Sequence, residues 1–320
     1  MQGFKPYYSV FLVWFSAIGV VAVDTILVVR PSHPHFETAT TGLLQELGGR
    51  FRAVTFVIHR NTSVYEFEKV FQRTDPKLVV LMEGKSVKLF TQYQNRMGRD
   101  APMPPSVALM TIYVGERIAG LRNATGIAYE IQGITSLVHL RSLVQGPVNR
   151  VGVLFSSRLR SFYEQQRKLC LTEQIELVGL EIDVKQKHRG RLIRSALREL
   201  TQHKDIDALW VINDNLILNN RYLDRSWRPA LEGFKKPVVV GVEGLINDKN
   251  MGHFAVVPDH YQLGIQAGQM IYEIKENGWS AEGLAVRAPI GVRKYLNRSN
   301  LDPSIVIMEE GLLEWDHVIQ

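Results

Sequence analysis

Apolar runs in the second half of this chain break at acidic or amide side chains. IDALWVINDN (206–215) ends on Asn213, Asp214 and Asn215, KPVVVGVEG (236–244) presents Glu243, and GHFAVVPDHYQLGIQAGQMIYEI (252–274) turns at Asp259. A carboxylate at such a tip can hold a ligand ammonium through charge-assisted hydrogen bonds. It can equally cap the helix that follows. In the first half, LVVLM leads into Glu83-Gly84-Lys85-Ser86, where a glycine beside a helix start lets backbone N–H groups approach an anion. Ser86 is as well suited to capping that helix, and Ser156 and Ser157 after VGVLF carry the same ambiguity. Tyr113, Phe36 and Phe155 stand at or near strand tips, suited to stacking on an apolar or aromatic ligand or to filling the core. Asp214, Asn215, Glu243, Glu83, Ser86, Tyr113, Phe36, Phe155 and Ser156 form the candidate ligand-binding set.

These residue types favour binding over chemistry. Nothing places a nucleophile beside a base, and Walker, Rossmann, nucleophile-elbow and CxxC patterns are absent. No catalytic residue is expected; the enzymatic alternative is a hydrolase using Asp214 and Glu243. His33-Pro34-His35 is an H-x-H pair, with His59, His253 and His260 elsewhere. Such a pair suits a metal only where further ligands converge, and the intervening proline reads as a turn. Neither a metal nor a cofactor is expected.

The elements that must position these residues alternate strand with helix. Short apolar runs separated by helical segments read as buried strands of parallel sheets, and open α/β sheets bind ligands beyond the carboxyl ends of their strands. Strands are expected at 25–30, 52–58, 78–82 and 107–111. The first helix stops at Gly48-Gly49, Ser63-x-x-Glu66 is a capping box for the second, and Asp75-Pro76 ends it. The stretch 115–130 reads as a crossover. The alternation then restarts, with strands at 150–155, 175–180, 207–212 and 237–241. After a second loose stretch (244–253) come a strand at 254–257 and a helix at 259–276, then a polar passage near 286–300. This predicts an α/β chain of two lobes, 24–118 plus 252–286 and 124–245 plus 288–320, each a parallel sheet flanked by helices, with a cleft between them.

The bulk numbers agree with that size. At about 150 residues per domain, 320 residues allow two domains, and 45% hydrophobic with 22% charged residues is an ordinary globular balance. The net charge of +6 is mild. The densest basic cluster, KQKHRGR (185–191), reads as a solvated loop before a helix or a partner or phosphate patch. It lacks helix-turn-helix or zinc-finger spacing, so no nucleic acid is expected. The lone Cys170 lies in a helical pattern and reads as a small buried apolar residue. Lys5 precedes an uncharged run at 7–23, with Val20 and Ala22 at the small-residue positions of a cleavage site. Residues 1–22 therefore read as a cleaved secretory signal, or as a short membrane anchor. Formal glycosylation sequons at Asn61, Asn123 and Asn297 are set aside as chance triplets.

The order of segments from PPSVALMTIYVGERIAGL through RNATGIAYE, NRVGVLFSS, IDALWVINDN and KPVVVGVEGLI to the final GHFAVVPDHYQLGIQAGQMIYEI resembles a known family. It is similar to the ABC-transporter substrate-binding proteins of periplasmic-binding-protein type I, in the subgroup near tryptophan- and tyrosine-binding proteins. The Asn-x-Thr-Gly of that family stands here as Asn123-Ala-Thr125-Gly126, its Asp-Asn as Asp214-Asn215, and its Tyr-x-x-Gly-x-x-x-Gly helix as Tyr261, Gly264 and Gly268. Three regions depart from it. Val114-Gly115-Glu116 replaces an Asp-Pro, the first lobe diverges around SHPHF and MEGKS, and the closing stretch LNRSNLDPSIVIMEEGLLEWDHVIQ resembles the family pattern only loosely.

The resemblance implies the type I fold and a monomer that binds a small solute of the kind of an amino acid or similar amphiphile. It would sit in the periplasm or another extracytoplasmic space and deliver the solute to the membrane permease of an ABC transporter. A sensory module that signals to a membrane receptor, or a degenerate paralogue without a ligand, is the alternative.

Overall fold

The computed structural model describes residues 23–247 and 251–320. The signal or anchor reading of residues 1–22 falls outside them.

The first lobe runs β1 (Thr25–Pro31), α1 (Pro34–Leu47), β2 (Arg52–Ile58), α2 (Val64–Thr74), β3 (Leu78–Met82), α3 (Glu83–Met97), β4 (Ser106–Leu109), α4 (Val114–Ile118) and β5 (Ala124–Gly126). Its strands pair in parallel, in the order β2-β1-β3-β4-β5. Successive strand side chains point to opposite faces, so the apolar runs feed two helical layers. Ile26 and Val28 pack with Leu43 and Leu263 on one side, and Leu27 and Val29 with Phe67 and Phe90 on the other. The capping box at Ser63 forms as expected: the Ser63 side chain accepts from the Glu66 N–H, and Glu66 accepts from the Ser63 N–H at 2.8 Å.

The second lobe comprises α5 (Gly133–Leu143), β6 (Arg150–Ser156), α6 (Arg160–Leu171), β7 (Glu176–Ile182), α7 (Arg189–His203), β8 (Ala208–Val211), α8 (Asn220–Tyr222), α9 (Arg228–Leu231), β9 (Val238–Val240) and β10 (Phe254–Pro258). The chain returns to the first lobe for α10 (His260–Glu276), then closes the second with β11 (Val292–Asn297), α11 (Glu309–Leu312) and β12 (His317–Ile319). The sheet order is β12-β11-β10-β9-β8-β6-β7. Its body is parallel, and β11 adds antiparallel to β10 at the edge. Cys170 is fully buried in the core of this lobe, and burial pushes its thiol up to about 12, which keeps it protonated and inert.

Two lobe boundaries shift from the sequence reading. Ala124–Gly126 is not part of the second lobe; it is β5, hydrogen-bonded along β4. Phe254–Pro258 is not part of the first lobe; it is buried throughout and flanked by β9 and β11. A fully buried run must pair on both edges, so the return crossing falls after Pro258. The Tyr261-Gly264-Gly268 pattern explains the docking of α10 on α1. A Cβ at Gly264 would lie 1.9 Å from the Ala39 carbonyl oxygen, and one at Gly42 2.1 Å from that of Tyr261. The two backbones approach so closely that only glycine fits. Asn123 ties the last crossing to the first lobe, its side chain accepting from the Ala281 N–H at 2.6 Å and donating to the Met103 carbonyl at 3.2 Å.

Candidate functional site

The carboxyl ends of both sheets face a cleft of about 390 Å³. That volume lies within the roughly 300–1,000 Å³ range of small-molecule sites. Its first-lobe wall carries Phe36 from α1, Glu83 from the start of α3, and Met110–Ile112 and Arg117 after β4; the second-lobe wall carries Asn215 after β8 and Glu243 after β9. Tyr129, from the first crossing, and His260, at the start of α10, complete it. An adjoining recess of about 380 Å³ shares His35, Glu243 and His260 and adds Arg293 and Tyr295.

Of the sequence-predicted residues, Phe36, Glu83, Asn215 and Glu243 come together here. Glu83 has a left-handed backbone (φ 74°), and its carboxylate accepts from the Lys85 N–H at 3.0 Å. It therefore covers the start of α3 with its own negative charge, which disfavours the anion-cradle reading of this loop. Glu243 is half-buried, and its Oε1 accepts from the Asn247 side chain at 2.9 Å.

The remaining predicted residues do not line the cleft. Asp214 is 3% exposed, and both its oxygens are committed: Oδ2 accepts from the Ser156 N–H at 2.7 Å and Oδ1 from the Leu216 N–H at 3.1 Å. It braces the tip of β8 against the tip of β6 and presents no oxygen to a solute. Ser86 is buried and donates to the Met82 carbonyl at 2.6 Å, one turn back along its own helix. Ser156 is fully buried, its N–H taken by Asp214. Phe155 stacks on Tyr163 at 4.3 Å inside the second-lobe core. Tyr113 joins the lobes: its hydroxyl donates to the Asn213 carbonyl at 3.0 Å and its ring packs edge-on against Phe162. The Tyr113 N–H donates to Glu130 at 2.6 Å, which fixes the left-handed turn (φ 53°) from which the ring crosses.

Sequence reasoning missed the polar relay on the cleft floor. The His35 and His260 Nδ1 atoms are 3.0 Å apart, and His260 Nε2 lies 3.0 Å from the Tyr129 hydroxyl. Two ring nitrogens that share one proton cannot both belong to imidazolium rings. Burial, then the neighbouring His35, lowers His260 to about 4, so the His260 ring is neutral near pH 7. Burial and the Glu243 carboxylate push Tyr129 and Tyr295 up to about 12. Asp259 caps α10 by accepting from the Tyr261 and Gln262 N–H groups and pairs with Arg293 at 3.0 Å. The signal for His260 was present in sequence: it directly follows Asp259, the acidic tip of a buried run, as Glu243 is the acidic tip of another. Tyr129 lies in a stretch without periodicity and gave none. Among the described residues, no cluster of three or more His, Cys, Asp or Glu could hold a metal.

Two α/β lobes joined by crossing segments, with strand tips facing a shared cleft, define the periplasmic-binding-protein type I fold, and the chain has that fold. It superposes on the ligand-free, open structure of CD0873, a substrate binding protein with adhesive properties from Clostridium difficile, with a TM-score of 0.63 at 15% identity, covering 93% of this chain and 100% of that one. An ABC domain in complex with L-Trp from Streptococcus pneumonia matches at 0.55 and 18% identity, covering 92% and 100%. A conserved domain protein from Vibrio cholerae O1 biovar eltor matches at 0.57 and 16%, covering 92% and 99%. No family model and no curated protein sequence matches the chain. No helix among the described residues is long and apolar enough to cross a membrane.

Proposed function

We propose that this protein is the extracytoplasmic solute-binding component of an ABC-type uptake system. It takes a small amphiphilic solute, of the amino-acid kind, into the interlobe cleft and closes over it without covalent chemistry. The observation that carries this reading is the composition of the cleft walls. Glu83 and Glu243 offer acceptors for an ammonium, Arg117 offers a fork for a carboxylate, and Phe36, Met110 and Val257 line an apolar space between them. The neutral His260 ring, held between His35 and Tyr129, adds directional hydrogen bonding. Lobe closure about the crossing segments would bury the solute, and the closed form would then be read by a membrane permease.

The test is a thermal-shift panel on the purified protein with free amino acids, small carboxylates, sugars and nucleosides. A ligand at about 100 times its Kd stabilises the fold by about 2.7 kcal/mol. An amino-acid hit that Glu243→Gln weakens supports the reading. A folded protein with no hit across the panel points instead to a sensory or degenerate module.

A further inference from the structure

Away from the cleft, the second lobe carries a recess of about 430 Å³ between the first two turns of α7 and α8 with the segment that follows it. It is lined by Arg189, Arg191, Arg194, Arg221, Arg225 and His188 and by no acidic residue. Among the described residues, the salt bridges formed within 4.0 Å include none of these five arginines. Asp224, next to Arg225 in sequence, pairs instead with Arg228 at 3.3 Å.

The floor of this recess is built. The Ser226 hydroxyl donates to the Gly190 carbonyl at 2.8 Å, bolting the segment after α8 to the start of α7. Arg194 donates to the Arg225 carbonyl, and Arg189 reaches the Val184 and Leu216 carbonyls. Among the described residues, buried Arg189 Nε has no acceptor. Concentrating guanidinium groups at one spot costs self-repulsion unless an anion fills it. The KQKHRGR run supplies part of this charge, and α8 with the segment after it brings Arg221 and Arg225 to it from far along the chain.

We propose that this basic recess is a second binding site, for a compact ligand bearing several phosphate groups. Guanidinium forks match phosphate oxygens bidentately. Arginines from two elements around one small concavity suit dense charge in a small volume, whereas the carboxylates of an acidic peptide are spread along an extended chain. Free phosphorylated molecules and anionic lipid headgroups present the same chemistry.

The test uses the purified full chain and the exposed-arginine variant Arg191→Gln/Arg221→Gln/Arg225→Gln, whose unchanged melting temperature is the fold control. Sodium tripolyphosphate is titrated by calorimetry at low salt and at about 0.15 M salt, where screening reaches within about 8 Å. Saturable binding that weakens with salt, and at least about tenfold in the variant, is the expected result. Co-sedimentation with phosphatidylglycerol-containing vesicles that the variant loses assigns the source to a lipid headgroup; tripolyphosphate binding without co-sedimentation assigns it to a free phosphate. The proposal is overturned if neither probe binds, if the variant binds both as well as the native chain, or if a poly-glutamate peptide binds more tightly than tripolyphosphate.

Discussion

Asp214 and Glu243 occupy equivalent places in sequence, each just past a buried run of the second lobe, yet they have opposite fates. Asp214, after β8, is buried and spends both oxygens on backbone N–H groups of Ser156 and Leu216. Glu243, after β9, is half-buried and opens onto the cleft. The difference lies in what surrounds each tip. β8 lies beside β6, whose final N–H needs an acceptor, and the chain after Asp214 turns at once, offering a second. The Glu243 side chain instead bonds Asn247 on its own segment and remains at the interlobe wall. A strand-tip carboxylate is thus structural where unpaired amides lie within reach, and available to a solute where they do not.

Substitutions can break this comparison. Asp214→Ala strips acceptors from two backbone donors, so urea unfolding should show a loss of about 3 kcal/mol; a loss below about 1 kcal/mol would return Asp214 to the candidate site. Acid probes the cleft side. His260, faced by His33, His35, Asp259 and Arg293, titrates at about 4 in the fold against 6.5 in the unfolded chain. The unfolded state therefore binds more protons between those values. Stability is fully present above pH about 6.5 and falls by about 3 kcal/mol by pH 4. His253, also lowered to about 4 by burial, contributes a loss of the same sign, so His260→Gln should remove its own share and leave the rest. An undiminished loss in that variant would place the acid sensitivity outside the cleft.

Glu243→Gln should leave unfolding within about 0.5 kcal/mol of the native protein while weakening solute about tenfold, or about 1.4 kcal/mol. Tyr113→Phe removes one interlobe hydrogen bond and should cost about 1 kcal/mol, with a broader distribution of lobe separations in small-angle scattering. The smallest effect is expected at Ser156. Its buried hydroxyl has no partner among the described residues, so Ser156→Ala should change stability by less than about 0.5 kcal/mol or improve it slightly.

Much of the architecture was legible because buried parallel strands advertise themselves. TILVV, LVVLM and VVV have no other use for so many adjacent apolar side chains, and each became a strand. β11 (VRKYLN) was hidden because it lies near the edge and is only half-buried along its first turn of residues, so charge and apolarity mix. β5 was hidden by its three-residue length. The cleft residues were legible where one follows a buried run and escapes its neighbours' amides, as Glu243 does. Ser86, Ser156 and Phe155 looked the same in sequence, and what separates them is the position of carbonyls and rings brought from elsewhere in the chain: Ser86 also reaches the Val29 carbonyl, and Phe155 meets Tyr163. The His35–His260 contact spans 225 positions, a distance no local pattern encodes.

The most direct test of the account is calorimetric titration of the purified protein with free amino acids, repeated on Glu243→Gln. The account predicts stoichiometric binding of at least one amino acid by the native protein, weakened about tenfold in the variant at unchanged fold stability. Binding that Glu243→Gln leaves untouched, or no binding by a folded native protein, would contradict it.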